Sequence, residues 1–259
     1  MKKLLILIVA LNLCMLTSNA QGVLVVSKIE SEDFSSFEAT LNQWMTAVKK
    51  ATDIENAGLR VHRVDGSREL VATRWFDSMQ DMVDNMEKEK SKDKEIGEIL
   101  ETMPEPSEGN WDRFVSSTDF KGSSVWEFVP KASTVPKSWE DMSQEERDEL
   151  LYRRVQYFSV DTMQGEAFES WWQKANEADA KLGINYHVAM FKSLFGGNDA
   201  DYMIILLDKS RFNYYNNFEE RAKIRMNSEE FKTAMSDMDN SKWSVIEESN
   251  WIRLPKMTH

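Results

Sequence analysis

Asn110-Trp111-Asp112-Arg113-Phe114 recurs in this chain as Asn250-Trp251-Ile252-Arg253-Leu254. Asn-Trp-x-Arg followed by an apolar residue closes two stretches that look alike along their whole length. A chain with that pattern is expected to be one small unit folded twice, which restricts the fold more than any composition figure does. Each copy reads as the closing strand of its unit.

The stretches before the motifs support this. Gly22–Ile29 is short and β-branched, a strand. Ser35-Ser36-Phe37-Glu38 has the form of a capping box, and Phe37, Leu41, Trp44, Met45 and Val48 then recur at helical steps. Leu59–Val64 and Glu69–Phe76 flank the Asp65-Gly66 turn signal. Ser78 can cap a helix beginning at Met79, with a break expected in the charged Lys88–Glu98 stretch around Gly97, and Pro104 ends it. Trp111–Ser116 then completes β-α-β-β-α-β.

The second half repeats that order. Arg154–Val160 reads as a strand, Glu166–Leu182 as a helix, Asn185–Phe191 and Tyr202–Leu207 as strands, Phe212–Met238 as a helix interrupted at Ser228, and Ser249–Leu254 as the closing strand. Phe37 matches Phe168 and Asp77 matches Asp208 at an offset of 131, whereas Gly58 and His62 match Gly183 and His187 at 125. On this register the second hairpin loop absorbs six extra residues. The Asn-Trp-x-Arg motifs sit 140 apart. Ser123–Val129 is an extra strand candidate, and Ser143-Gln144-Glu145-Glu146 is a capping box opening a short acidic helix. The resulting division is a leader at 1–20, a first repeat at 21–129, a linker with a short helix at 130–150 and a second repeat at 151–259.

The leader reading rests on Met1-Lys2-Lys3, an apolar run from Leu4 to Leu16, and small residues before Gln21. That is the pattern of a secretory signal peptide cut after Ala20, and the run is too short to span a bilayer. Cleavage removes Cys14, the one cysteine, and shifts the net charge from −12 to −14 because Lys2 and Lys3 leave. A mature chain without thiols forms no disulfide, and this fits a bacterial periplasm or exterior. The acidic balance argues against nucleic acid as a partner, since phosphates require clustered Lys and Arg. With no second long apolar run, the mature chain is expected to carry no transmembrane segment.

A tandem β-α-β-β-α-β unit with apolar sheet faces resembles the dimeric α/β-barrel superfamily of ferredoxin-like folds. The resemblance spans residues 22–118 and 152–256 and rests on topology and repeat. It implies an α+β fold in which two antiparallel sheets pack into a barrel, here as a pseudo-dimer within one monomeric chain. It also implies that haem, or cofactor-free monooxygenase chemistry, is within the superfamily's range. No Asn, Trp and His set in this chain matches the haem-degrading pattern residue by residue, so no catalytic residue is carried over and no cofactor is expected from the residues themselves.

Alternation along the strands selects the site candidates. Trp111 with Arg113, and Trp251 with Arg253, share faces; His62 and His187 sit on the second strands, and Tyr157 on the first strand of the second copy. If those faces point inward, Arg, His and Trp converge on an apolar cavity suited to a small aromatic or carboxylate-bearing ligand. The competing reading has Trp filling the core and Arg pairing with an acid at the rim. No His pair stands at zinc spacing. Asn198-Asp199-Ala200-Asp201 lacks the twelve-residue loop of a calcium site, and no nucleophile elbow or phosphate loop is present. The sequence therefore leans away from an enzyme. It leaves three functions open: an exported protein that binds a small apolar or aromatic ligand in the barrel between its two repeats, a monooxygenase-type or haem-using oxidoreductase, and a structural or interaction protein with a filled barrel.

Overall fold

The structure is a computed structural model that describes residues 22–54, 58–104, 111–135, 137, 142–196, 199–236 and 239–258. The leader lies outside these residues. The fold is α+β, with eight antiparallel strands in two ferredoxin-like repeats. The chain divides into two units, one running to Val125 and including Leu254 onward, the other Trp126–Arg253. Among the described residues no helix is long and apolar enough to cross a membrane.

The first unit contains β1 (Val23–Ser31), α1 (Phe34–Thr52), β2 (Leu59–Val64), β3 (Glu69–Phe76), α2 (Met79–Ser91), α3 (Asp93–Thr102), α4 (Trp111–Ser117) and the start of β4 (Thr118–Phe128). Its sheet order is β4, β1, β3, β2, the order of a split β-α-β unit. The β4 edge is tied to β1 through Ser27 Oγ and Ser123 Oγ at 2.7 Å. The last residues of β8 (Trp243–Thr258) extend this sheet beside β2. Ile29, Phe37, Val61, Leu70, Phe114 and Met257 form its core.

The second unit contains α5 (Gln144–Asp148), β5 (Tyr152–Val160), α6 (Gly165–Lys181), β6 (His187–Phe195), β7 (Tyr202–Asp208), α7 (Arg211–Asn227) and α8 (Glu229–Ala234), with β8 up to Arg253. Its order, β8, β5, β7, β6, repeats that of the first unit, and the end of β4 lies beside β6. Phe168 on α6 is fully buried, with ring centroids 5.1 Å from Phe158, 5.0 Å from Tyr202 and 5.3 Å from Trp243. Val188, Met190 and Ile204 complete this sheet-to-helix core. Ser143 makes the expected capping box with Glu146, and Ser228 caps the second piece of the interrupted helix by accepting from Phe231 N.

Three expectations change. Trp111–Ser116 is not a strand: residues 111–117 are helical, and the closing strand is the stretch read as an extra one, starting at Thr118. Phe114 is buried with its ring 5.6 Å from Phe37, while Val115 is 54% exposed and Ser116 is exposed as well, so burial follows a turn of helix and not alternation. The two Asn-Trp-x-Arg segments are therefore not structural mates. Next, Asp33, not Ser35, caps α1, its carboxylate accepting from Ser36 N at 3.1 Å. Within the charged Lys88–Glu98 stretch the break between α2 and α3 falls at Lys92, and Ile96 beyond it packs on Ala47, Val48 and Ala51 of α1.

The last change concerns register. On the helix-facing side, Ile29 pairs with Leu70 as Phe158 pairs with Tyr202, and Val61 pairs with Ala72 as Met190 pairs with Ile204. These pairs set offsets of 129 for the first and second strands and 132 for the third. Phe37 and Phe168 remain helix mates at 131, both buried. His62 then corresponds to Phe191, and His187 to Gly58. The duplication is real, but the two histidines are not its copies, and the second hairpin needs no six-residue insertion.

Candidate functional site

The second unit holds a cavity of about 210 Å³ at the end of its sheet. Three local decisions of the chain build it. After α6, Gly183 takes a left-handed backbone (φ 73°), and the turn delivers Tyr186 and His187 to the head of β6. His187 pairs in register with Leu207, which places Asp208 at the end of β7 beside it. Ser210 then caps α7, accepting from Asn213 N at 3.1 Å. From that start Asn213, Asn217 and Arg221 follow at four-residue steps on one helix face, over the cavity. Leu150, Tyr186 and Leu207 supply its apolar walls.

The charges in this cavity are unequally satisfied. Asp208 accepts from Lys209 N at 2.7 Å and from Asn217 Nδ2 at 3.0 Å. Lys209 pairs with Glu149 at 2.6 Å. Arg221 is only 8% exposed and makes no hydrogen bond or ion pair among the described residues. Its guanidinium lies over the rings of Tyr186 at 5.2 Å and Tyr214 at 5.8 Å. Burial pushes it below the ordinary arginine value, with Arg225 adding repulsion and the tyrosines and Asp208 opposing. One turn on, Arg225 differs: its Nε donates to Asp179 Oδ1 at 2.8 Å, and Asp179 is fully buried.

His187 is half-buried, and burial holds its imidazole below the ordinary 6.5, with Asp208 working against the shift and Arg153 adding to it. A histidine held down by burial takes up its proton more readily in the unfolded chain. Its contribution to stability is therefore full above pH 6.5 and is lost as pH falls from there through the lower folded value. His187→Asn should reduce the loss of melting temperature between about pH 7.5 and about pH 5.5. Equal losses in both proteins would refute this assignment.

Of the residues singled out from the sequence, only His187 lines this cavity. Arg253 is buried elsewhere, its guanidinium reaching the Asp148 carbonyl oxygen and, at 3.4 Å, the Asp148 carboxylate. It ties α5 to β8, the rim-pairing alternative for this residue. Trp251 is 2% exposed opposite Arg153 on β5, and Tyr157 packs its ring 5.8 Å from Trp126. His62 belongs to the first unit, buried with Nδ1 3.4 Å from Val71 O. The side chains of Trp111 and Arg113 lie outside the described residues. Sequence reasoning missed Asp208, Asn213, Asn217 and Arg221. The usable signal was the Asn-Asn-Arg run at four-residue steps, interleaved with Tyr214 and Phe218 in a helix otherwise read as a solvated acidic face.

No family model matches the chain, and no curated protein does. Among solved structures, the chain resembles a chlorite dismutase from Candidatus Nitrospira defluvii in complex with imidazole, at 10% identity and a TM-score of 0.45, over 93% of this chain and 94% of that one. It also resembles a haem-binding protein from Thermus thermophilus, at 9% identity and a TM-score of 0.49, over 92% of this chain and 93% of that one. The order of strands within each unit makes this fold a duplicated ferredoxin-like α+β arrangement.

Proposed function

We propose that this chain is an exported small-molecule-binding protein whose ligand occupies the cavity of the second repeat beside His187. The carrying observation is an open cleft of about 210 Å³ in which Leu150, Tyr186 and Leu207 meet a larger set of polar and charged side chains, among them His187, Asp208 and Arg221. Binding is favoured over turnover because its acid, Asp208, is already engaged by Lys209 N and Asn217. Export rests on the Met1–Ala20 leader pattern and is tested by fractionating cells that express the full chain.

The test of binding is a small-molecule melting-temperature screen on the purified mature protein, with Asn213→Phe as the blocked control. A ligand at a hundred times its dissociation constant stabilises the fold by about 2.7 kcal/mol. The expected result is a set of compounds that raise the melting temperature of the wild type and not of Asn213→Phe. A screen without hits, or hits that the blocked variant shares, would sink the reading.

Haem is the second reading, raised by the haem-binding structural neighbour and by His187, a half-buried imidazole at a cavity wall. The residues present do not fit it here. Pockets that enclose drug-sized ligands measure roughly 300–1,000 Å³, above the volume of this one. The helix-facing side of the sheet is filled by Phe158, Phe168, Tyr202 and Ile204. A Soret band that forms on haem titration and disappears in His187→Ala would reverse this judgement.

A further inference from the structure

The guanidinium of Arg221, largely buried and without a protein acceptor among the described residues, carries an inference that rests on the binding reading above and narrows it. We propose that the ligand is a small monocarboxylate whose carboxylate seats on Arg221, with its apolar body against Tyr186, Leu150 and Leu207.

Arg221 is unlike the other buried or half-buried arginines of this unit. Arg225 has Asp179, Arg253 has Asp148, and Arg153 donates to the carbonyl oxygens of Leu150 and Tyr152. Arg221 has ring faces beneath it and no acceptor among the described residues, although a guanidinium offers five N–H donors. The rings of Tyr186 and Tyr214 flank the group at 5.2 Å and 5.8 Å, and an arginine whose N–H groups have no protein acceptor can grip a planar carboxylate by two parallel bonds. Asn217 and Asn213 stand one and two turns earlier on the same face and line the same cleft.

The cavity also says what the anion is not. Asp208 places a carboxylate in the same space, so a second negative charge on the ligand is repelled. That favours a monoanion over a phosphate dianion. The walls and the volume favour a short or single-ring body over an extended one.

The experiment is calorimetric titration of the mature protein with benzoate, its neutral twin benzamide, and phenylphosphonate, alongside the side-chain signals of 15N-labelled arginine. Charge-assisted hydrogen bonds contribute about 1.5–3 kcal/mol, so benzoate should bind roughly tenfold or more tighter than benzamide, and tighter than phenylphosphonate. Benzoate alone should move the Arg221 signal. Arg221→Met keeps the stem, removes the charge, and should erase the preference for benzoate. If it does not fold, the wild-type arginine signals decide the matter. Equal affinity for benzoate and benzamide overturns the carboxylate anchor and leaves the cavity reading standing. No benzoate binding, with neutral hits in the melting screen, has the same meaning; no binding of any kind overturns both.

Discussion

Replacing Arg225 with alanine should destabilise the protein by about 3–5 kcal/mol, because it strands the fully buried Asp179 carboxylate without its partner. At this chain length that is a fall in melting temperature of roughly 10 °C. The figure measures the cost of leaving a charge alone in the interior and not the worth of the pair. Asp179→Leu combined with Arg225→Leu should recover much of the loss, since an apolar pair removes both the charge and its penalty. Thermal unfolding of the single and double variants checks this. A double variant that melts as low as Arg225→Ala would show that Arg225 acts mainly by covering the ring of Tyr186, which it also overlies at 5.8 Å.

Phe168→Ala should cost a similar amount, about 3–5 kcal/mol, for a different reason. Phe168 has no exposed surface and touches three aromatic rings drawn from β5, β7 and β8. Truncation leaves a void that several separate elements would have to move to fill, and stiff aromatic neighbours collapse poorly. Denaturant titration should show a lower midpoint with an unchanged slope. Phe168→Leu should retain most of the stability, and a loss under about 1 kcal/mol for the alanine variant would contradict this packing.

The fold was legible where one period ran uninterrupted between strong punctuation. β2 and β3 carry the expected bounds because Asp65-Gly66 separates two β-branched runs. Ser78, Ser143 and Ser228 cap helices where their spacing to the following residues indicates. Duplication was legible in Phe37 and Phe168, whose equivalence is enforced by the same helix-on-sheet burial. It was misread in His62 and His187, because a coincidence of residue type within strands carries no information about pairing.

Trp111–Phe114 misled for a related reason. A short run with Trp and Phe three apart satisfies a strand and a helix equally well, and only the docking of Phe114 on Phe37 decides between them. In the site, His187 was accessible as a strand residue. Arg221 was not, because its importance lies in what it lacks, and a missing partner has no signature in a sequence.

Strands β4 and β8 each pass from one unit into the other, and this sets an order of events during synthesis. Met257, at the far end of β8, is buried among Ile29, Val61 and Leu70, residues made between 187 and 228 positions earlier. The first unit therefore emerges from the ribosome before the second yet waits longest for its last piece. Its apolar face stays incomplete until translation has reached the end of β8, so the two repeats cannot mature as independent beads in the order in which they are made.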